Sequence, residues 1–149
     1  STAIADHVKV DFELRGCPIN KDQLLALLRD VLAGRRPRLP NHSVCLDCKR
    51  RGIVCVIVAR GALCLGPVTQ AGCGALCPAF DRGCYGCFGP APDANLVSLT
   101  AQFQAAGHGR EDVVRSLRSF NANAAEFRVE SERLAGEISL APPPALDPS

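Results

Sequence analysis

The stretch "HSVCLDCKRRGIVCVIVARGALC" (residues 42–64) is followed six residues later by "AGCGALCPAFDRGCYGCFGP" (residues 71–90). Residues 42–90 hold eight of the nine cysteines and eight of the thirteen glycines of this 149-residue chain. Within them, only "IVCVIVA" at residues 53–59 is a continuous apolar run. Because so few apolar residues cannot bury a large core, we expect mostly loops that are organised around their cysteines.

The eight cysteines divide by spacing into two sets of four. The first quartet is Cys45-x2-Cys48-x6-Cys55-x8-Cys64, and the second quartet is Cys73-x3-Cys77-x6-Cys84-x2-Cys87. Cys17 is left over, far upstream of both. Each quartet contains one C-x2-C pair and two more widely spaced cysteines. Four thiolates in one short segment can hold either a structural zinc ion or an iron–sulfur cluster.

Disulfides, zinc ions and iron–sulfur clusters all use closely spaced cysteines. Disulfides are disfavoured, because the number of cysteines is odd and the start of the chain lacks a signal-peptide pattern. Zinc ribbons usually pair two C-x2-C turns, whereas each quartet here spreads two of its cysteines more widely. This spread favours two [4Fe-4S] clusters, as do the Cys17-Pro18 and Cys77-Pro78 dipeptides, since Cys-Pro recurs at such sites. Two zinc ions stay open as the alternative.

Glycines lie next to the cysteines in both quartets. They are Gly61 and Gly66 near Cys64, and Gly72, Gly74, Gly83, Gly86 and Gly89 around the second quartet. Because glycine lacks a Cβ atom and tolerates positive φ, we expect the backbone to pass close to the metal centre and the N–H groups of these glycines to point at the sulfurs. The same glycines also suit simple tight turns, which would fit a zinc site equally well.

The residues before the quartets have the patterns of regular secondary structure. Residues 8–14, "VKVDFEL", alternate apolar and polar side chains, which predicts a strand buried on one face. Since the sequence offers this strand no partner, we expect the rest of its sheet to lie upstream or on another chain. The absence of methionine likewise indicates a processed product or part of a longer chain. Asn20, as an N-cap, predicts a helix over residues 21–33 that ends at Gly34.

The residues after the quartets predict helices and then an extended tail. Asp93 is the predicted N-cap of a helix that ends at Gly107. Further helices are predicted over residues 110–120 and 123–136, and the proline-rich end, residues 138–149, predicts a flexible tail. Between the first helix and the quartets, residues 35–41 carry three arginines and two prolines. They predict an exposed linker or, alternatively, a contact with an acidic partner.

Composition narrows the class of protein without naming a partner. Hydrophobic residues make up 47 % of the chain, charged residues 21 %, and the net charge is +2, as in ordinary globular proteins. No stretch approaches the roughly 18 apolar residues of a membrane span, so we expect a cytoplasmic protein. The basic run Lys49, Arg50 and Arg51 lacks interleaved aromatic residues, which argues against nucleic-acid binding. We interpret it as a solvated loop or, alternatively, as a docking surface.

No active-site pattern accompanies the cysteines. The three histidines, His7, His42 and His108, are scattered, and the sequence has no Ser/His/Asp arrangement or phosphate-binding loop. The chain therefore predicts a metal-binding protein with no complete active site of its own.

Four motifs together resemble a known family: "ELRGCPINKDQLLALLRDVLAGRRPRLP", "HSVCLDCKRRGIVC", "CLGPVTQAGCGALCP" and "GCYGCFGP". They are similar to the electron-transferring small subunit of cytosolic NAD(P)-linked [NiFe]-hydrogenases of the sulfhydrogenase delta type. This subunit belongs to the wider family of the 20 kDa subunit of NADH:ubiquinone oxidoreductase. The resemblance covers roughly residues 8–104 and corresponds to the C-terminal portion of the family's subunit.

The resemblance implies a role for each cysteine. The first quartet (Cys45, Cys48, Cys55 and Cys64) would hold the distal cluster, with His42 as a possible substitute ligand, since many members use an H-x2-C arrangement there. The second quartet (Cys73, Cys77, Cys84 and Cys87) would hold the medial cluster, as [4Fe-4S] because Cys77 replaces the proline of [3Fe-4S] members. Cys17, within Gly-Cys-Pro, would be one ligand of a proximal cluster whose other three ligands this chain lacks.

The resemblance also implies a fold and partners. Residues 1–34 would be the last strand and helix of an incomplete flavodoxin-like α/β domain, residues 35–92 a two-cluster domain of loops between short helices, and residues 93–137 a helical C-terminal segment. The chain would relay electrons between a [NiFe]-hydrogenase large subunit and a flavin- and NAD(P)-binding subunit. The alternatives are a zinc-stabilised module that binds protein or nucleic acid without redox activity, and a ferredoxin-like carrier with another redox partner.

Overall fold

A computed structural model describes residues 4–140, and within this range the chain is helical with irregular connections. The helices of the described residues are α1 (Lys21–Leu32), α2 (Val44–Arg50), α3 (Val56–Arg60), α4 (Leu76–Ala79), α5 (Leu96–Ala105), α6 (Arg110–Ser119) and α7 (Ala125–Leu140). Short 3-10 turns occur at Ile4–Asp6 and Gly66–Val68. None of the described helices is long and apolar enough to cross a membrane.

The N-terminal segment contains a confirmed helix and an unconfirmed strand. The helix predicted over residues 21–33 is α1, and the Asn20 side chain caps it by accepting hydrogen bonds from the amides of Asp22 and Gln23. Residues 8–14 form no strand among the described residues, since no neighbouring segment pairs with them. A strand needs a partner for its backbone hydrogen bonds, so the flavodoxin-like assignment of residues 1–34 stays a prediction.

The apolar face of α1 is not covered by the rest of the described chain. Leu24 is 38 % exposed, Leu28 47 % and Val31 39 %, although their spacing is that of a buried helical face. Residues 35–41 follow α1 without regular structure, and Arg35, Arg36 and Arg38 are exposed there, as predicted for a linker.

Helices are also present in the cysteine-rich segment, where we predicted mostly loops. The helices α2, α3 and α4 are each seven residues or shorter. Residues 68–71 run between residues 42–44 and 89–91 and hydrogen-bond to both, through Val44 to Thr69, Ala71 to His42, Gln70 to Gly89 and Ala91 to Val68. This central crossing fixes the start of one cysteine segment against the end of the other.

The C-terminal helices form the larger hydrophobic core. Its members from α5, α6 and α7 include Phe103, Val113, Leu117, Phe127 and Leu134, all at most 1 % exposed. Leu65 and Val68, which lie between the two quartets, belong to the same core. The helical unit is therefore packed directly against the cysteine segment.

Two C-terminal boundaries differ from the sequence prediction. The N-cap of α5 is Asn95, whose side-chain oxygen accepts a hydrogen bond from the Ser98 amide at 3.0 Å, and not Asp93. Both residue types cap helices well, so spacing alone could not choose between them. The helix α7 continues to Leu140, so residues 138–140 are helical rather than part of a tail. The remaining predicted tail, residues 141–149, lies outside the described residues.

A buried carboxylate joins α5 to α7. Glu130 is 3 % exposed and Thr100 is fully buried, and the Thr100 hydroxyl donates to the Glu130 carboxylate at 2.5 Å. Arg133 donates to the same carboxylate at 2.7 and 2.9 Å. These hydrogen bonds compensate for the cost of burying the charge.

Replacing Thr100 by valine tests this cluster. Thr100→Val keeps the volume but removes a donor to a buried carboxylate, so we expect the free energy of unfolding to fall by about 1–3 kcal/mol. Thr100→Ser keeps the hydroxyl and is the matched control. Urea unfolding followed by circular dichroism measures both, and equal losses for the two variants would contradict the role of this hydrogen bond.

The same cluster makes stability depend on acid pH. The hydrogen bonds from Arg133 lower the pKa of Glu130, burial opposes this effect, and the Thr100 hydroxyl adds to the lowering. A lowered pKa stabilises the fold above the ordinary glutamate pKa, and this contribution is lost as the pH falls through the lowered value. We expect the free energy of unfolding to depend less steeply on acid pH in Glu130→Gln than in the wild type. An unchanged dependence would contradict the stabilising role of the Glu130 carboxylate.

Candidate metal centre

The first quartet is assembled from two short helices and the loop after them. Cys45 and Cys48 lie three residues apart on α2 and so share one helix face, while Cys55 is the N-cap of α3. Cys64 precedes the 3-10 turn. The thiols of Cys64, Cys48 and Cys55 all act electrostatically on Cys45, so the predicted four lie near one another.

The second quartet lines a single cavity of about 200 Å³ together with Cys17. The cysteine lining consists of Cys17, Cys73, Cys77, Cys84 and Cys87. Most of the other lining residues are apolar: Pro18, Ile19, Leu76, Pro78, Tyr85 and Phe88. The backbone of Cys17 also opposes the rise that burial causes in the pKa of the Cys87 thiol. Cys17, which is isolated in the sequence, therefore lies beside the second quartet.

Burial raises the pKa values of five of the cysteines. All nine cysteines are free of disulfides. Desolvation raises the pKa of Cys45 to about 11, and the neighbouring thiols add to that effect. Burial likewise raises the pKa of Cys84 to about 12, although hydrogen bonds from the Gly86 amide and the Thr69 side chain oppose it. Burial is also the largest cause of the raised pKa values of Cys48, Cys77 and Cys87.

The two quartets meet at Cys64 and Cys84. The Cys84 amide donates a hydrogen bond to the Cys64 sulfur at 3.1 Å, and the Leu65 amide donates to the Cys84 carbonyl at 2.9 Å. This approach requires glycine at position 83, because a Cβ atom there would lie 1.8 Å from the Leu63 carbonyl oxygen. In this contact the donor is the amide of Cys84 and not that of a glycine, so the predicted donation from glycine amides stays a prediction.

His42 is paired with an acidic residue in this structure. Its Nε2 atom lies 3.2 Å from Asp47 Oδ1, and both side chains are largely buried. Asp47 lies on α2 between Cys45 and Cys48, so His42 is held beside the first quartet by this contact. His108 lies on the other side of the loop, where its Nε2 atom hydrogen-bonds to the Gly61 carbonyl at 2.5 Å.

Two polar contacts near the quartets were not predicted from the sequence. The Arg51 guanidinium donates to the Gly74 carbonyl, so one residue of the basic run joins the loops of the two quartets. The Thr69 side chain acts to lower the pKa of the Cys84 thiol, while its hydroxyl donates a hydrogen bond to the Leu65 carbonyl at 2.6 Å. Neither contact follows a motif, because each depends on how segments that are distant in sequence cross one another.

The cysteine chemistry and the cavity fit a multinuclear metal group. Free thiols beside apolar walls and amide donors are the environment that an iron–sulfur cluster uses. Within residues 4–140, no three histidine, cysteine, aspartate or glutamate side chains are drawn together as a ready ligand set for one metal ion. The thiols of each quartet are thus neighbours rather than a closed site.

Known proteins similar to this chain are hydrogenase subunits. Sulfhydrogenase 2 subunit delta of Pyrococcus furiosus is 38 % identical over 117 residues, which cover 78 % of this chain and 49 % of that protein. A subunit of the vhu F420-non-reducing hydrogenase of Methanocaldococcus jannaschii is 33 % identical, covering 58 % of this chain and 36 % of that protein. An iron–sulfur subunit of the F420-non-reducing hydrogenase of Archaeoglobus profundus is 31 % identical, covering 66 % and 39 %.

The chain spans about half the length of the Pyrococcus protein and less of the other two. No family model matches the sequence. The relatives nevertheless agree with one another and confirm the resemblance that the cysteine motifs predicted. The chain belongs to the family of hydrogenase iron–sulfur subunits that includes the delta subunit of sulfhydrogenase 2 and the matching subunits of F420-non-reducing hydrogenases.

Proposed function

We propose that this chain carries electrons through [4Fe-4S] clusters held by its two cysteine quartets, as a subunit of a hydrogenase complex. The observation that carries this proposal is the arrangement of the thiols: two neighbouring quartets, free of disulfides, that meet at Cys64 and Cys84. One cluster site directly against another suits a relay of single electrons. A zinc-stabilised module would not need its two metal sites in contact, because each zinc ion stabilises only its own site.

The ligand sets follow from the neighbours of each thiol. Cys45, Cys48, Cys55 and Cys64 would hold the distal cluster, and Cys73, Cys77, Cys84 and Cys87 the medial one. His42 would support the first site from outside the ligand set, held in place by the contact between its Nε2 atom and Asp47, because the four cysteines already supply four ligands. Cys17 would contribute one ligand to a third, proximal cluster beside the second quartet.

The clusters would supply one-electron redox chemistry, and the protein would set the conditions for it. The apolar walls of the cavity, among them Pro78 and Phe88, exclude water from the sulfurs. Amide donors such as those of Cys84 and Gly86 stabilise negative charge on sulfur. The chain itself would need no catalytic acid, base or nucleophile.

The proposed partners follow from the family. A [NiFe]-hydrogenase large subunit would exchange electrons at the Cys17 end, and a flavin- and NAD(P)-binding subunit at the first quartet. Residues 1–34 would complete a flavodoxin-like domain, residues 35–92 the two-cluster domain, and residues 93–137 the helical support. We propose a cytoplasmic location, where a reducing environment keeps cysteines free.

Metal analysis of the anaerobically purified protein separates the cluster and zinc proposals. We expect a brown protein with at least about eight iron and eight acid-labile sulfide per chain, as two [4Fe-4S] clusters require. Visible absorption, iron and sulfide assays and an electron paramagnetic resonance (EPR) spectrum of the reduced protein measure this. A colourless protein with about two zinc ions per chain would contradict the proposed function.

Variants at position 42 and position 48 separate the candidate ligands of the first quartet. We expect His42→Ala to retain the iron and sulfide of the wild type, since the first quartet already supplies four cysteine ligands. Cys48→Ala removes a ligand, so we expect it to lose roughly four iron per chain or convert that cluster to a three-iron form. Loss of a cluster in His42→Ala with retention in Cys48→Ala would reverse the assignment.

A further inference from the structure

We propose that an electron crosses between the two cluster sites through the contact between Cys84 and Cys64, and that glycine at position 66 leaves the space that this contact needs. The inference rests on the proposed function, because it requires a cluster on each quartet. It goes further by assigning the electron's crossing to one hydrogen bond, between Cys84 and Cys64, and to the lack of a side chain at Gly66.

The contact joins a ligand of one site directly to a ligand of the other. Cys84 belongs to the second quartet, and its amide lies 3.1 Å from the sulfur of Cys64, which belongs to the first. The Leu65 amide returns a hydrogen bond to the Cys84 carbonyl at 2.9 Å. The two ligands are therefore held together by a reciprocal pair of bonds, and only the Cys84 residue itself separates one ligating sulfur from the other.

This contact is also shielded from water. Cys64 is 6 % exposed and Cys84 8 %, and of the nine cysteines these two alone are buried. A hydrogen bond is electrostatically stronger in such a low-dielectric environment. The two most buried cysteines of the chain are thus the two that this hydrogen bond joins.

Gly66 lies at the junction of the two ligands. A Cβ atom at this position would lie 3.3 Å from the Cys64 sulfur, 3.6 Å from the Cys45 sulfur and 3.7 Å from Cys84 Cβ. The φ angle of Gly66 is not in the left-handed region, so its conformation is open to other residues. The position therefore needs glycine for the space beside the sulfurs and not for its backbone angle.

The Cys84 amide donates to the Cys64 sulfur, and this direction of the hydrogen bond affects the reduction potential of the first-quartet cluster. In the crossing, one electron leaves a reduced cluster and arrives at an oxidised one, with no bond broken and no proton moved. The reduced acceptor carries more negative charge on its sulfurs, which an amide donor stabilises. The Cys84 amide should therefore raise the reduction potential of the first-quartet cluster and favour the electron there.

Cys17 and Cys87 line the same cavity, and the backbone of Cys17 acts to lower the pKa of the Cys87 thiol. There too, a cysteine of one proposed site lies beside the thiol of another. The order of contacts runs from Cys17 to Cys87, and then from Cys84 to Cys64. It follows the order of the proposed proximal, medial and distal clusters.

The test compares Gly66→Ala with Gly61→Ala in the anaerobically isolated complex. The methyl group of alanine at position 66 would press against the Cys64 sulfur, whereas a Cβ atom at position 61 meets nothing within 4 Å and strains only the backbone. We expect Gly66→Ala to lower the reduction potential of the first-quartet cluster by about 59 mV, which corresponds to an about tenfold smaller equilibrium constant for its one-electron reduction. Gly61→Ala should leave that potential unchanged.

An EPR-monitored redox titration measures the potentials, and freeze-quench EPR measures the rate of electron arrival. If Gly66→Ala contains both clusters at wild-type potential and transfer rate, this inference fails while the proposed function stands. If the wild-type protein contains no iron and sulfide, the proposed function itself fails.

A measurement on the wild type keeps the inference testable even if Gly66→Ala does not fold. With ¹⁵N-labelled cysteine, electron–nuclear double resonance of the reduced first-quartet cluster should show a slowly exchanging proton bonded to a labelled nitrogen. This signal would come from the Cys84 amide. A first-quartet cluster without such a coupled proton would overturn the inference.

Discussion

The close crossing of residues 63–66 over residues 83–84 is the contact on which the cysteine-rich segment depends. Gly83 makes it possible, because any side chain at that position would collide with the Leu63 carbonyl. The crossing sets Cys64 against Cys84 and so fixes the distance between the two quartets. Without it, each quartet would be a separate loop whose orientation relative to the other was undetermined.

The helical unit supports this crossing. Leu65 follows Cys64 directly and is buried in the same core as Phe127 of α7, and the Phe127 ring also lies against Gly86, between Cys84 and Cys87. Asn121 donates a further hydrogen bond to the Gly86 carbonyl at 2.9 Å. Packing by the C-terminal helices thus positions both cysteine segments, which explains why a chain with so few apolar residues around its cysteines holds a defined arrangement.

The sequence predicted the parts that depend on local pattern. Cysteine spacing separated the quartets and identified the family, and Asn20 and the leucine periodicity placed α1 within one residue of its end. The sequence did not predict the cap at Asn95, because Asp93 caps a helix equally well. It also did not predict the Arg51 bridge to Gly74 or the position of Cys17 beside Cys87, because both depend on contacts between distant segments. The alternation of residues 8–14 is a real local signal, but a strand also needs a partner, which the described residues do not provide.

The raised thiol pKa values imply that the two halves of the described chain differ in what stabilises them. The helical unit has its own core, in which Phe103, Leu117 and Leu134 are buried, so its stability follows from hydrophobic burial. In the quartets, burial raises the pKa of Cys45 to about 11 and that of Cys84 to about 12, and the negative charge of several thiolates in one place is favourable only beside a cation. Binding of an iron–sulfur cluster would therefore displace these protons and contribute its own free energy to the order of residues 42–90, as metal binding does in other small metal-stabilised folds. The C-terminal helices would then serve as the preformed surface on which this metal-dependent half is assembled.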